Sequence, residues 1–250
     1  MASGNFKKQL FTFGFIFSLA ACGPANSVYS ERLNDDPSTE QVFSGNMQKT
    51  SSVNLSSLNY ENPPAGSEER TKILQRYDYV DPNKIIAETA LENAIIFYDL
   101  NLSQIKNKNV LTIIDYSKSS KEKRAFIIDM KTGGVQAFHV AHGKGSDSNH
   151  DGMAEKFSNT PGSNATSLGY FMTAETYQGG NGYSLRLDGL SSTNSNARSR
   201  AIVIHGSDYV QDRSVIQGRS WGCPAFSQAN KNLVINLLKG GSVVLSVGPS

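Results

Sequence analysis

Cysteine is nearly missing from this sequence. Two occur in 250 residues, at positions 22 and 223, so no disulfide framework holds the chain together. Tryptophan occurs once, at 221, and histidine four times. Charge is sparse and balanced. Only 18% of residues are charged, the formal net charge is +2, and no lysine–arginine cluster is longer than a pair. That excludes the basic footprint of a nucleic-acid binder. No internal repeat or coiled-coil pattern appears. The apolar run at 10–20 is shorter than the roughly 20 residues that span a bilayer. A phosphate-cradling loop is lacking too. Gly179-Gly180-Asn181-Gly182 has no Lys-Ser/Thr after it and leads into a strand, so it is read as a tight turn.

What is present begins with an address. Lys7 and Lys8 precede the apolar run, and small residues close it, the layout of an export signal. Leu19-Ala20-Ala21-Cys22-Gly23 resembles the bacterial lipobox. That resemblance implies a signal peptide over 1–21 and a diacylated Cys22 as the first mature residue. The protein is then expected to be exported and anchored by lipid on the cell-wall side of a membrane. Gly23 and Pro24, with no acidic residue directly after Cys22, resemble a lipoprotein sent on to the outer membrane from the periplasm. Residues 22–80 are poor in apolar side chains and rich in Ser, Asn, Glu and Pro, and are expected to form a disordered tether.

The remaining 81–250 is expected to be one domain. Asp81-Pro82 supplies an N-cap and a first-turn proline for a helix over 82–101. Beyond it the period changes to that of strands, at 110–116, 124–130, 135–141, 168–174, 183–187, 201–205 and 242–247. Lys131-Thr132-Gly133-Gly134 is a hairpin turn, and a helix over 228–238 stops at Gly240-Gly241. Many short strands with 22 glycines and one or two packed helices make the chain mainly β, a sandwich or partly open barrel.

Two residues then carry the chemistry. His205 closes an apolar run, and Cys223 follows a Ser-x-Gly turn. With Cys22 lipidated, Cys223 is the only thiol left in an exported protein, and an imidazole within reach would activate it. Small residues before the thiol let backbone N–H groups approach a developing oxyanion. A metal site is not expected. His139 and His142 are three apart on an expected strand and so face opposite ways, while His150, Asp147 and Asp151 fall in or beside a polar loop. No cofactor is implied.

His205, the fourteen residues 206–219 and then Ser220-Trp221-Gly222-Cys223 resemble the signature of the L,D-transpeptidases, the YkuD-type cysteine enzymes of the bacterial wall. Upstream, Val140-Ala141-His142-Gly143-Lys144, Ser158-Asn159-Thr160-Pro161-Gly162 and Ser167-Leu168-Gly169-Tyr170-Phe171 are similar to the family's landmarks in the same order. The branch resembled is the murein L,D-transpeptidase catalytic domain. The resemblance implies Cys223 as nucleophile, His205 as base, the Gly206 carbonyl orienting the imidazole, and the Gly222 and Cys223 amides facing the oxyanion. Ser220, Trp221, Arg219, His142 and Tyr170 are weaker candidates for lining the substrate cleft. Trp221 stands where the family carries a second histidine, and an indole cannot accept or carry a proton.

The implied reaction is peptidoglycan cross-linking through a cysteine thioester, on stem peptides, by a monomer. An L,D-carboxypeptidase or stem-exchange enzyme would use the same residues. Trp221 motivates a third alternative, a wall-binding lipoprotein without catalysis.

Overall fold

The last strand of the chain lies in the middle of its sheet. In the computed structural model, which describes residues 55–249 together with Met1, eight strands run β1 (Val110–Asp115), β2 (Ala125–Asp129), β3 (Val135–Phe138), β4 (Gly169–Gly179), β5 (Gly182–Gly189), β6 (Val203–Ser207), β7 (Ala225–Ser227) and β8 (Val243–Val247). Their order across the sheet is β3-β2-β1-β8-β4-β5-β6-β7. β8 pairs parallel to β1 and antiparallel to β4, with Leu111 opposite Val243 and Phe171 opposite Val244. β1 is buried along its whole length, as a strand covered on both faces must be, and this is why Val110, Leu111, Ile113 and Ile114 dominate it rather than alternating with polar residues.

The sheet curls until its edges meet. Past β3 the chain continues to Ala141, which bridges to Ala225 of β7, and Gly143 bridges to Ser220. The result is a partly open barrel, as expected from the many short strands. Period-two alternation sorts the side chains into two cores. One holds Leu111, Ile113, Phe126, Ile128, Met172 and Leu245 against the helix α2 (Glu88–Leu100). The other holds Ile114, Tyr116, Phe171, Leu185, Leu187 and Ile204 against the helix α3 (Lys231–Leu238), and Cys223 packs at its margin.

The structure departs from expectation in three places. The helix foreseen over 82–101 starts only at Glu88. Asp81 instead adopts a left-handed backbone (φ 53°) and its carboxylate accepts from the Ile85 and Ile86 amides at 3.1 and 2.9 Å. Local Asp-to-backbone bonding thus competes with the helix and wins over the Asp-Pro start. The expected tether is ordered over its last part. A helix, α1 (Glu68–Gln75), is capped by Ser67, whose hydroxyl accepts from the Arg70 amide. Its Ile73 joins Leu58 and Val80 in the α2 core. A few apolar anchors spread through a polar stretch escape a reading by average composition. The signal peptide, Cys22 and the rest of the tether lie outside the described residues. Finally β7, three residues long behind Pro224, was not foreseen.

Candidate active site

β6 and β7 run parallel, with His205 opposite Ala225 and Gly206 opposite Phe226. This pairing places the histidine strand beside the segment that carries Cys223, two residues ahead of Ala225. His205 is buried, and its Nδ1 lies 3.1 Å from the Gly206 carbonyl. A carbonyl only accepts, so Nδ1 bears the proton and Nε2 is left with the lone pair of a base. Gly206 is confined by α3: a Cβ there would come within 2.3 Å of the Lys231 side chain.

Cys223 is half-buried, and its Sγ lies 3.5 Å from the Ala201 carbonyl. The turn before it is tied from within. Ser220 Oγ accepts from the Gly222 amide at 3.1 Å and donates to the Cys223 carbonyl at 2.7 Å. The Ser220 backbone bonds to His142 O at 2.9 Å and receives Lys144 N at 2.7 Å. Gly222 has φ 123°, and a Cβ there would stand 2.8 Å from the Ala165 carbonyl. Only glycine fits both conditions. The expected oxyanion role of Gly222 is revised on this geometry, because its amide is already engaged by Ser220 Oγ. Ser220 shapes the turn rather than meeting substrate.

His142, expected as a weaker candidate for lining the cleft, is instead shut away from solvent. It is buried between Arg124 Nη2, 2.7 Å from its Nδ1, and Asp147 Oδ2, 3.0 Å from its Nε2. Burial foremost, and then the Arg124 charge, pushes its pKa down to about 4, against the pull of Asp147. The contact with Asp147 is therefore a hydrogen bond from a neutral ring, not an ion pair. Arg124 Nη2 donates to Nδ1, and Nε2–H donates to the carboxylate. Burial raises the Asp147 carboxyl, but His142 and the Gly152 and Asp151 amides hold it below its ordinary value. Arg124 is fully buried, with two donors on the Val140 carbonyl and one on the Lys118 carbonyl, and its guanidinium lies over the Tyr116 ring. This network braces residues 140–147 behind the Cys223 turn. The sequence reading missed Arg124 and Asp147 as partners of His142. An arginine at the head of an apolar strand was the one available signal.

The other candidates divide. Tyr170 lies on the far face of the sheet, its ring stacked on Phe97 with centroids 3.9 Å apart and its hydroxyl bonded to the Asn93 carbonyl at 3.0 Å. It is core, and its neighbour Phe171 faces the Cys223 side. Arg219 donates to the Asp147 carbonyl. Trp221 is half-buried beside the turn, with the Lys144 ammonium 4.9 Å from the ring centroid. Arg200 lies against the turn, its Nη2 3.2 Å from where a Gly222 Cβ would stand. His139 and His150 bond to the Lys121 and Gln217 carbonyls, and among the described residues no three metal-ligating side chains converge. Behind the turn Tyr116, Phe171, Ile202, Gly222 and Pro224 enclose a cavity of about 10 Å³, room for one water at most. No peptide enters the barrel there.

The fold and the site define a curled β-sheet domain with a cysteine and a histidine on adjoining segments. The chain belongs to the family of L,D-transpeptidase catalytic domains, whose family model matches residues 82–246. No curated protein matches the sequence. Among solved structures it is similar to L,D-transpeptidase 1 of Mycobacterium tuberculosis, at 13% identity and TM-score 0.33, over 56% of this chain and 62% of that one. An L,D-transpeptidase from Mycobacterium smegmatis matches at 13% identity and TM-score 0.36, over 56% and 59%. The helical cell shape determining protein Pgp2 of Campylobacter jejuni matches at 14% and 0.33, over 61% and 55%. The chain thus spans about three fifths of the length of these proteins.

Proposed function

We propose that the protein is a cysteine-dependent L,D-transpeptidase that cross-links peptidoglycan stem peptides. The observation that carries the reading is the Nδ1 contact of His205 with the Gly206 carbonyl, on a strand paired with the one that follows Cys223. It leaves Nε2 as the base on a side chain of fixed orientation. His205 takes the Sγ proton of Cys223, and the thiolate attacks the carbonyl of the third residue of a tetrapeptide stem. The Cys223 amide faces the oxyanion. Collapse breaks the peptide bond, the leaving D-residue takes the proton back from His205, and a thioester remains. The amine of a second stem then attacks, gives its proton to His205 and releases the thiol, joining two third-position residues. Water in place of the amine would give carboxypeptidase cleavage.

The lipobox-like sequence at Cys22 supports an exported protein anchored by lipid, working on the wall from the membrane surface. Incubation of the protein with defined disaccharide tetrapeptides, followed by mass analysis, tests the reaction. A cross-linked dimer is expected. A shortened stem would mean carboxypeptidase, and unchanged substrate would contradict both.

A further inference from the structure

Three cations surround the nucleophile turn, and among the described residues none of them forms an ion pair with a carboxylate. Arg200 gives its donors to neutral oxygens: the Ser158 and Ala165 carbonyls at 2.6 Å, Ser163 Oγ at 3.3 Å and Ser167 Oγ. Burial lowers its pKa while the nearby Cys223 raises it, as a thiolate beside a guanidinium would. Arg219 is bonded to a carbonyl, that of Asp147. The Asp147 carboxylate is itself occupied by His142 and two amides. Other arginines of the domain do pair with carboxylates: Arg198 with Glu175 and Asp188, and Arg186 with Glu175. Around the turn, the three charges have no carboxylate partner among the described residues.

Of the three, Lys144 is the exposed one. Its backbone is fixed to the turn by the bond from Lys144 N to Ser220 O, and Gly143 before it presses on Gly222. Its ammonium lies over the Trp221 indole, 4.9 Å from the centroid. A cation–π contact of this kind is worth about 0.5–1 kcal/mol at an exposed site, enough to bias a flexible side chain toward one place. That place is beside Trp221, two residues from the thiol.

We propose that Lys144, seated on Trp221, is a specificity-determining residue that binds the free carboxylate of the residue leaving the donor peptide. The assignment rests on the acyl-transfer reading for its substrate, though not for its charge. It also gives Trp221 a task that a histidine at that position would perform less well, since indole offers the best face for a cation.

The test is made in two arms on the full chain. In the first, Cys223 is alkylated with iodoacetate or with neutral iodoacetamide and followed by peptide mass mapping, which separates it from Cys22. In either case the thiolate displaces iodide and a carbon–sulfur bond forms. The ratio of the iodoacetate rate to the iodoacetamide rate should fall by about three- to tenfold in Lys144→Gln, fall in Trp221→Leu, and be kept in Lys144→Arg. In the second arm, Lys144→Gln should raise KM for a tetrapeptide donor while kcat changes little, and should leave the donor with an amidated C-terminus unaffected. An unchanged alkylation ratio in a Lys144→Gln protein that melts like the wild type overturns the proposal. Failure of every donor to react would instead overturn the acyl-transfer reading, and the alkylation ratio would still decide the role of Lys144.

Discussion

Gly143 and Gly222 stand back to back: a Cβ on Gly143 would lie 2.8 Å from the Gly222 Cα and 2.9 Å from its nitrogen. This contact is how the strand end after β3 supports the turn that carries Cys223. Gly222→Ala adds to it a backbone that L-residues rarely adopt and a clash with the Ala165 carbonyl. The strain alone is of order 1–3 kcal/mol. Both Gly143→Ala and Gly222→Ala should lower the urea midpoint and abolish turnover, and a variant with wild-type stability and activity would show the contact to be looser.

Ser220→Ala removes the acceptor of the buried Gly222 amide and the donor to the Cys223 carbonyl. An unsatisfied buried group costs about 1–3 kcal/mol. The variant should unfold at lower urea and turn over more slowly, with Cys223 alkylation by iodoacetamide also altered. If stability falls while alkylation and turnover stay the same, Ser220 has no part in shaping the reactive turn.

His142 makes stability depend on pH. Its folded pKa of about 4 lies below the ordinary value of 6.5, so the unfolded chain binds the proton more readily. Stability is full above about 6.5 and is lost as the pH falls toward 4. The shift corresponds to at most about 3 kcal/mol. Urea unfolding at steps between pH 7 and 4.5 should show this slope, and His142→Gln should flatten it. An equal slope in both proteins would assign the dependence to other groups.

The ordering of residues before Asp81 predicts that they stabilise the domain. A chain starting at residue 81 exposes the surface of α2 that Leu58 and Ile73 cover, where each buried aliphatic side chain contributes about 1.5–3 kcal/mol. It should melt well below a chain starting at residue 55. Ser67→Ala in the longer chain should cost about 1 kcal/mol through the lost cap. Equal melting temperatures for the two lengths would restore the reading of this stretch as a tether.

Much of the barrel was legible because its strands are β-branched and its turns carry glycine. β1, β2, the Gly133 hairpin and β8 all follow from local pattern. What local pattern does not carry is which parity of a strand faces the site. Tyr170 and Phe171 are adjacent, and only the register of β4 on β8 sends Tyr170 to the α2 core and Phe171 toward Cys223. His142 failed for a related reason. Arg124 and Asp147, which enclose it, come from different segments, and no spacing reveals such a meeting. Cys223, His205 and Gly206 stand out in the sequence because the motif holds them at fixed separation, and the β6–β7 pairing sets their two segments side by side.

In the proposed reaction Cys223 carries the acyl group. Brief exposure of the full chain to a tetrapeptide donor without an acceptor amine, followed by acid quench and mass mapping, measures this directly. The expected result is a tripeptidyl adduct on the peptide containing Cys223, absent in Cys223→Ala, and discharged when a second stem is added. Product formation with no adduct at Cys223, or retained turnover in Cys223→Ala, would contradict it.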